Sequence, residues 1–156
     1  MKFNVVKITN FSDKADICNF ILRALPDWFG IEESIVDYVT QVKNMPFFAV
    51  FDNNNAIGFV TIKLHNIHTA EIYVMGILQE YHKQGIGKKI ISLCEKYCIE
   101  NNIEFLTVKT LSDLRENESY RKTRLFYQAL GFKPLEIFET LWGKSNPCLF
   151  LAKHIG

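Results

Sequence analysis

The chain has almost no charge of one sign to spare. Eighteen Lys and Arg face seventeen Asp and Glu, a net charge of +1, which withholds the basic excess that non-specific nucleic-acid binding relies on. No apolar run approaches the roughly twenty residues of a membrane-spanning helix. The opening stretch MKFNVVKITNFSDKADICNF holds neither a long apolar segment nor a small-residue cleavage site. A cytoplasmic location with no membrane and no nucleic-acid partner is the expectation. Cysteine is sparse too: Cys18, Cys94, Cys98 and Cys148 are scattered, so no disulfide framework is expected. Cys94 and Cys98 lie one helical turn apart but have no His or Cys at a zinc-like spacing, so they read as core residues and no metal is expected. Internal repeats and low-complexity linkers are also missing.

What the chain does have is apolar mass. Hydrophobic residues make up 48% and aromatics 13%, with thirteen Phe, in 156 residues, enough for one well-formed core and a single domain over residues 1–156. KFNVVKI (2–8) reads as a strand, and Ser12 as the cap of a helix that Pro26 stops. A second helix is expected from Glu32 to Lys43, with acids in its first turn and Ile35, Val36 and Val39 at helical spacing. PFFAVFD, the turn NNN and AIGFVTIKLH make a hairpin, and TAEIYVMGIL (69–78) adds a third strand.

From Gly85 the period changes. Ile86, Ile90, Leu93 and Tyr97 form one stripe, while Lys88, Lys89, Glu95 and Lys96 can face water. A strand at 104–111, a helix from Ser119 to Leu130 closed by Gly131, and two strands near 132–140 and 147–153 complete the chain. The order βααβββαβαββ predicts an α/β (α+β) fold: a mixed, mostly antiparallel sheet of about seven strands with helices on both faces.

The segment EYHKQGIGKKII (80–91) carries glycines at a loop-to-helix junction. Exposed amides and the positive helix end converge there, and Gly lets the backbone come close to an anion. A Walker A loop is excluded, because His82 stands five residues before Gly87 and neither Ser nor Thr follows Lys88. A dinucleotide fingerprint fits poorly, since Ile90 occupies its third glycine position and the preceding strand belongs to an antiparallel meander.

The remaining pattern, His82-Lys83-Gln84-Gly85-Ile86-Gly87 after the strand VMGIL, resembles the pyrophosphate loop of the GNAT superfamily of acyl-CoA-dependent N-acyltransferases, with His82 in place of the usual Gln or Arg. LFYQALGF (125–132) is similar to that family's Phe-Tyr-x-x-x-Gly-Phe segment, in the expected order. Tyr120 and Thr123 depart from it, standing where many relatives have Asn and Ala. The resemblance runs from residue 2 to about 153. It implies an acetyl-CoA-dependent N-acetyltransferase, with acetyl-CoA as co-substrate held by Gly76, Ile77, Leu78, His82, Lys83, Gln84, Gly85, Ile86, Gly87, Lys88, Phe126 and Tyr127. A longer acyl group, or a non-catalytic acyl-CoA sensor of the same fold, are the alternatives.

Acetyl transfer to an amine needs a neutral amine, a polarised carbonyl and a proton for the thiolate. An alkyl amine with a pKa near about 10 is roughly one part in a thousand nucleophilic at neutral pH, so a base helps directly. Glu71, fourteen residues before Gly85, stands where the resemblance places a general base in some members; the alternative is an acid on a solvated strand face. His65, His68, Glu32 and Glu33 are rivals. Gly76 suits a bulge that frees strand amides for the carbonyl. Tyr127 is the expected acid for the leaving thiolate, with a groove-wall aromatic as the alternative. Cys148 has no evident His relay and is not expected to be a nucleophile. LPDWFGIEES (25–34) is expected over the acceptor side, Trp28 and Phe29 as an apolar wall and Glu32 or Glu33 attracting a cation, or else as a cap on the core. The expected acceptor is a small-molecule or protein amine, and the assembly a monomer or homodimer.

Overall fold

A computed structural model describes residues 3–156. Lys2, the first residue of the expected N-terminal strand, lies outside the described residues. The elements run β1 (Phe3–Lys7), α1 (Phe11–Arg23), α2 (Glu32–Gln41), β2 (Phe47–Asp52), β3 (Asn55–Leu64), β4 (Thr69–Ile77), α3 (Ile86–Glu100), β5 (Phe105–Leu111), α4 (Glu118–Ala129), β6 (Lys133–Phe138) and β7 (Cys148–His154). Short 3-10 turns follow α2 at Val42–Asn44 and β4 at Gln79–Tyr81. The hydrogen-bonded strand order is β1-β2-β3-β4-β5-β7-β6. The β4/β5 pair is parallel, while β1/β2, β2/β3, β5/β7 and β6/β7 are antiparallel. The expected element order and mixed, mostly antiparallel sheet are therefore found.

The chain divides into two compact units, one comprising residues up to Lys63 with Tyr73–Cys94, the other Leu64–Ile72 with Glu95–Gly156. In the first, α1 starts not at Ser12 but at Asn10, whose Oδ1 accepts from Asp13 N at 3.0 Å. Both residue types cap well, but Asn10 is the one placed three residues before an unpaired helix N–H. The α1 stripe Cys18, Ile21, Leu22 and Leu25 packs with Ile35, Val42, Phe47, Phe59 and Val74 in one apolar cluster. Val36, expected on the inner face of α2, is exposed; Ile35 alone of that helix is fully buried. The β2–β3 hairpin closes through Asn53 at φ 56°, a left-handed position that Asn tolerates.

In the second unit β5 lies between β4 and β7, and its Leu106 and Val108 are buried. Asn117 caps α4 by accepting from Tyr120 N at 3.0 Å, and Gly131 at φ 96° closes the helix. Arg124 ties α4 to β5 by donating from Nη1 to the Leu111 carbonyl at 2.8 Å.

Candidate active site

In the first unit β4 leads directly into the glycine loop. Tyr73 meets the α2 ring of Tyr38 at 5.4 Å, while a Cβ on Gly76 would lie 2.9 Å from Ile21 Cγ2 and 3.2 Å from Leu25 Cδ1 of α1. Val74, two residues before Gly76, packs in the same apolar cluster, so the two share one face as a regular strand requires, and the missing side chain at 76 leaves room for Ile21 and Leu25. Leu78, expected to offer a free amide, does not: its N–H donates to the Ile57 carbonyl at 2.9 Å, because β3 extends alongside.

The turn that follows is pinned from three sides. Tyr81 donates its hydroxyl to Asp52 Oδ2 at 2.8 Å, an interaction that raises the phenol's pKa. His82 donates from Nε2 to the Ile77 carbonyl at 2.7 Å and sets its ring edge-on to Trp28, centroids 5.6 Å apart. The imidazole at this position thus helps hold the loop through its Nε2 proton. Lys83 and Gly85 then both take left-handed backbone, φ 63° and 80°. Left-handed residues in such a tight loop turn successive N–H groups toward one concave side. The first α3 bond runs from Lys89 N to the Gly85 carbonyl at 3.1 Å, which leaves the amides of Ile86, Gly87 and Lys88 without intrahelical acceptors. Ile86 is buried and anchors the helix start, while Lys83, Gln84 and Lys88 are exposed. Such an arrangement can hold an anion on backbone amides, with Lys83 and Lys88 on either side.

Trp28 and Phe29 pack against the apolar cluster, Phe29 with its ring 6.0 Å from Tyr38. Glu32 is held by Arg23 through two 2.8 Å bonds, which keep its carboxyl below the usual range. Glu33 is exposed.

In the second unit Glu71 is not on a solvated strand face. It is buried, its side chain 6% exposed, and it sits opposite Thr107 in the β4/β5 ladder. One turn of the pleat further on, Lys109 donates from Nζ to Oε1 at 3.2 Å and Oε2 at 3.0 Å. His65, at the start of the β3–β4 connection, brings Nε2 to Oε1 at 2.6 Å. Sequence reasoning named Glu71 and His65 but missed Lys109. The available signal was a lysine inside the apolar strand FLTVKTL, since a cation there needs a partner. His68 pairs instead with Glu104 at 3.0 Å in the exposed turn. Cys148 is buried beside this cluster; burial pushes its thiol up to about 11, Lys109 opposing and Glu71 adding to the rise.

Tyr127 is buried on α4, its ring edge-on to Phe126 at 5.3 Å and Phe132 at 5.6 Å. Among the described residues no group of three or more His, Cys, Asp or Glu is arranged to hold a metal ion, and no helix is long and apolar enough to cross a membrane.

Solved structures share this fold. A putative acetyltransferase of the GNAT family from Desulfovibrio desulfuricans matches with a TM-score of 0.82 at 11% identity, over 99% of each chain. The aminoglycoside 6'-N-acetyltransferase from Enterococcus faecium matches at 0.77 and 19% identity, over 98% of this chain and 97% of that one. A GNAT family acetyltransferase from Elizabethkingia anophelis, solved with acetyl-CoA bound, matches at 0.70 and 18% identity, over 98% of both. An uncharacterized N-acetyltransferase of Chlorobaculum tepidum is 22% identical over 106 residues, 68% of this chain; the match spans 60% of that relative's length. The model of the Acetyltransferase (GNAT) family matches residues 15–132, and the chain belongs to that family.

Proposed function

We propose that the protein is an acetyl-CoA-dependent N-acetyltransferase in which the acceptor amine attacks the thioester directly within a ternary complex. The observation that carries this reading is the loop 82–88, where two left-handed residues and the open amides of the α3 start make a diphosphate cradle flanked by Lys83 and Lys88. A second part of the reading is that amides of β4 beside Gly76 turn toward the thioester carbonyl, where charge develops in the transition state. Proton handling falls to the cluster around Glu71 at the amine and to Tyr127, which protonates the thiolate as the carbon–sulfur bond breaks. Trp28 and Phe29 are proposed as the apolar side of the acceptor site. Glu33, exposed and without the arginine that engages Glu32, is the better attractor for a cationic acceptor.

The second reading, an acyl-CoA sensor without turnover, draws support from Lys109, whose ammonium already occupies both Glu71 oxygens. One experiment separates the two. The protein is incubated with acetyl-CoA and a panel of small amines, amino acids, polyamines and peptides, and free CoA thiol is followed. Amine-dependent thiol release supports transfer; tight CoA binding with no release from any amine supports the sensor.

A further inference from the structure

Glu71 is poorly placed to receive a proton itself. Its two oxygens accept from Lys109 at 3.0 and 3.2 Å and from His65 at 2.6 Å, so protonating it breaks these bonds and strands a half-buried ammonium. His65 is the member of the cluster with access to solutes. Its side chain is 35% exposed against 6% for Glu71. With Nε2 donating to Glu71, the tautomer is fixed and Nδ1 carries the lone pair; Nδ1 has no partner among the described residues. The ring is also held in place from its backbone, since His65 N donates to the Thr69 carbonyl at 3.0 Å across the turn.

We infer that His65 Nδ1 is the general base that takes the proton of the acceptor amine, with Glu71 as its positioning carboxylate and Lys109 as the cation that pairs with Glu71. The inference rests on the acetyl-transfer reading of this site. The ammonium form of the acceptor gives one proton to Nδ1, the freed amine lone pair forms the C–N bond, and the C–S bond breaks with its electron pair going to sulfur. The thiolate takes a proton from Tyr127, and the nitrogen of the new C–N bond gives up its second proton through solvent to restore the tyrosine and leave a neutral amide. The imidazolium loses its own proton to water across the exposed ring edge. Glu71 from β4 faces the imidazole, Lys109 from β5 lies beyond it on the same carboxylate, and the thiol of Cys148 from β7 lies within electrostatic reach of Glu71 and Lys109. His68 is turned to Glu104.

The test compares wild type with His65→Gln, Glu71→Gln and Lys109→Met, measuring kcat/KM for one amine from mildly acid to alkaline pH, with melting curves to establish folding. His65→Gln is expected to lower kcat roughly a hundred- to ten-thousandfold, to leave CoA binding unchanged and to remove the ascending limb of the profile. A further variant, His65→Ala, leaves space at the ring, and added imidazole should restore part of its rate. Losing the neighbouring anion weakens the imidazole as a base and losing the cation strengthens it. Glu71→Gln therefore moves the limb to lower pH and Lys109→Met to higher pH.

Near-wild-type rates in folded His65→Gln overturn the inference. So does a limb that survives in His65→Gln and vanishes in Glu71→Gln, which makes Glu71 the base. The histidine ring resonance absent from His65→Gln must titrate in wild type together with the rate, and a separate midpoint is equally fatal. If no amine releases thiol from the wild type, the acetyl-transfer reading has failed and the base role falls with it. That result differs from active wild type with an indifferent His65.

Discussion

Replacing Gly85 by alanine tests the anion cradle with a cost that can be worked out beforehand. Gly85 holds φ 80°, and a Cβ added there meets nothing within 4 Å, so no neighbour has to move. What remains is the penalty an L-residue pays in left-handed backbone, about 1–2 kcal/mol. That sum must appear in one of two places. If the loop keeps its shape, folding bears it, and the melting temperature falls by about 2–8 °C for a chain of this size. If the loop relaxes, CoA binding must restore the left-handed turn, and affinity falls by about five- to thirtyfold. The two losses, added as free energies, should come to about 1–2 kcal/mol. Calorimetric titration with CoA and a thermal melt on the same preparation measure both. Gly85→Asn, whose side chain tolerates left-handed backbone, should recover most of the loss. A Gly85→Ala protein with unchanged melting and unchanged CoA affinity would refute the reasoning, because the backbone at 85 would then not be left-handed in solution.

Tyr127→Phe keeps the ring between Phe126 and Phe132 and removes only the donor. CoA binding should survive while turnover drops roughly ten- to a thousandfold, most for the acyl thioester with the poorest leaving group; full activity with every thioester would make the tyrosine a wall. Gly76→Val drives a side chain into Ile21 and Leu25, 2.9 and 3.2 Å from the new Cβ. Overpacking of this kind costs about 1–3 kcal/mol, read as a lower denaturation midpoint at unchanged slope. All four cysteines are buried, with the Cys18 thiol pushed up to about 12 and that of Cys98 to about 11 by burial. A thiol reagent at mildly alkaline pH should find none of them in the native protein and all four after unfolding.

The glycine loop was legible because its chemistry is local. A left-handed turn, a helix start and flanking lysines lie within a few residues, and each residue type constrains its own backbone. The α3 core face was legible for the same reason, although it runs through Ile86, Ile90, Ile91, Cys94 and Cys98, not through Leu93 and Tyr97. Hydrophobicity could not rank a small cysteine above a large leucine, yet burial did. The environment of Glu71 was not legible. Its ion pair joins residues 38 apart in sequence and depends on Glu71 falling opposite Thr107 in a parallel ladder, a register that neither strand's pattern specifies. Alternation alone left the carboxylate free to be solvated. Likewise His82 fitted the loop as a ligand donor, and only the approach of the Ile77 carbonyl revealed that its proton is already committed.

The edge-on contact between Trp28 and His82 also makes the loop visible to light. Indole emission responds to the charge and hydrogen bonding of a ring lying 5.6 Å away, and the protein has only one other tryptophan, Trp142. With Trp142 replaced by phenylalanine, fluorescence would come from a single indole beside the turn that follows β4. A dianionic ligand settling there changes the field at that indole without any attached dye. Rapid mixing with CoA, with the acceptor, and with both in either order would then resolve the sequence in which the two substrates enter, on a timescale separate from the chemical step.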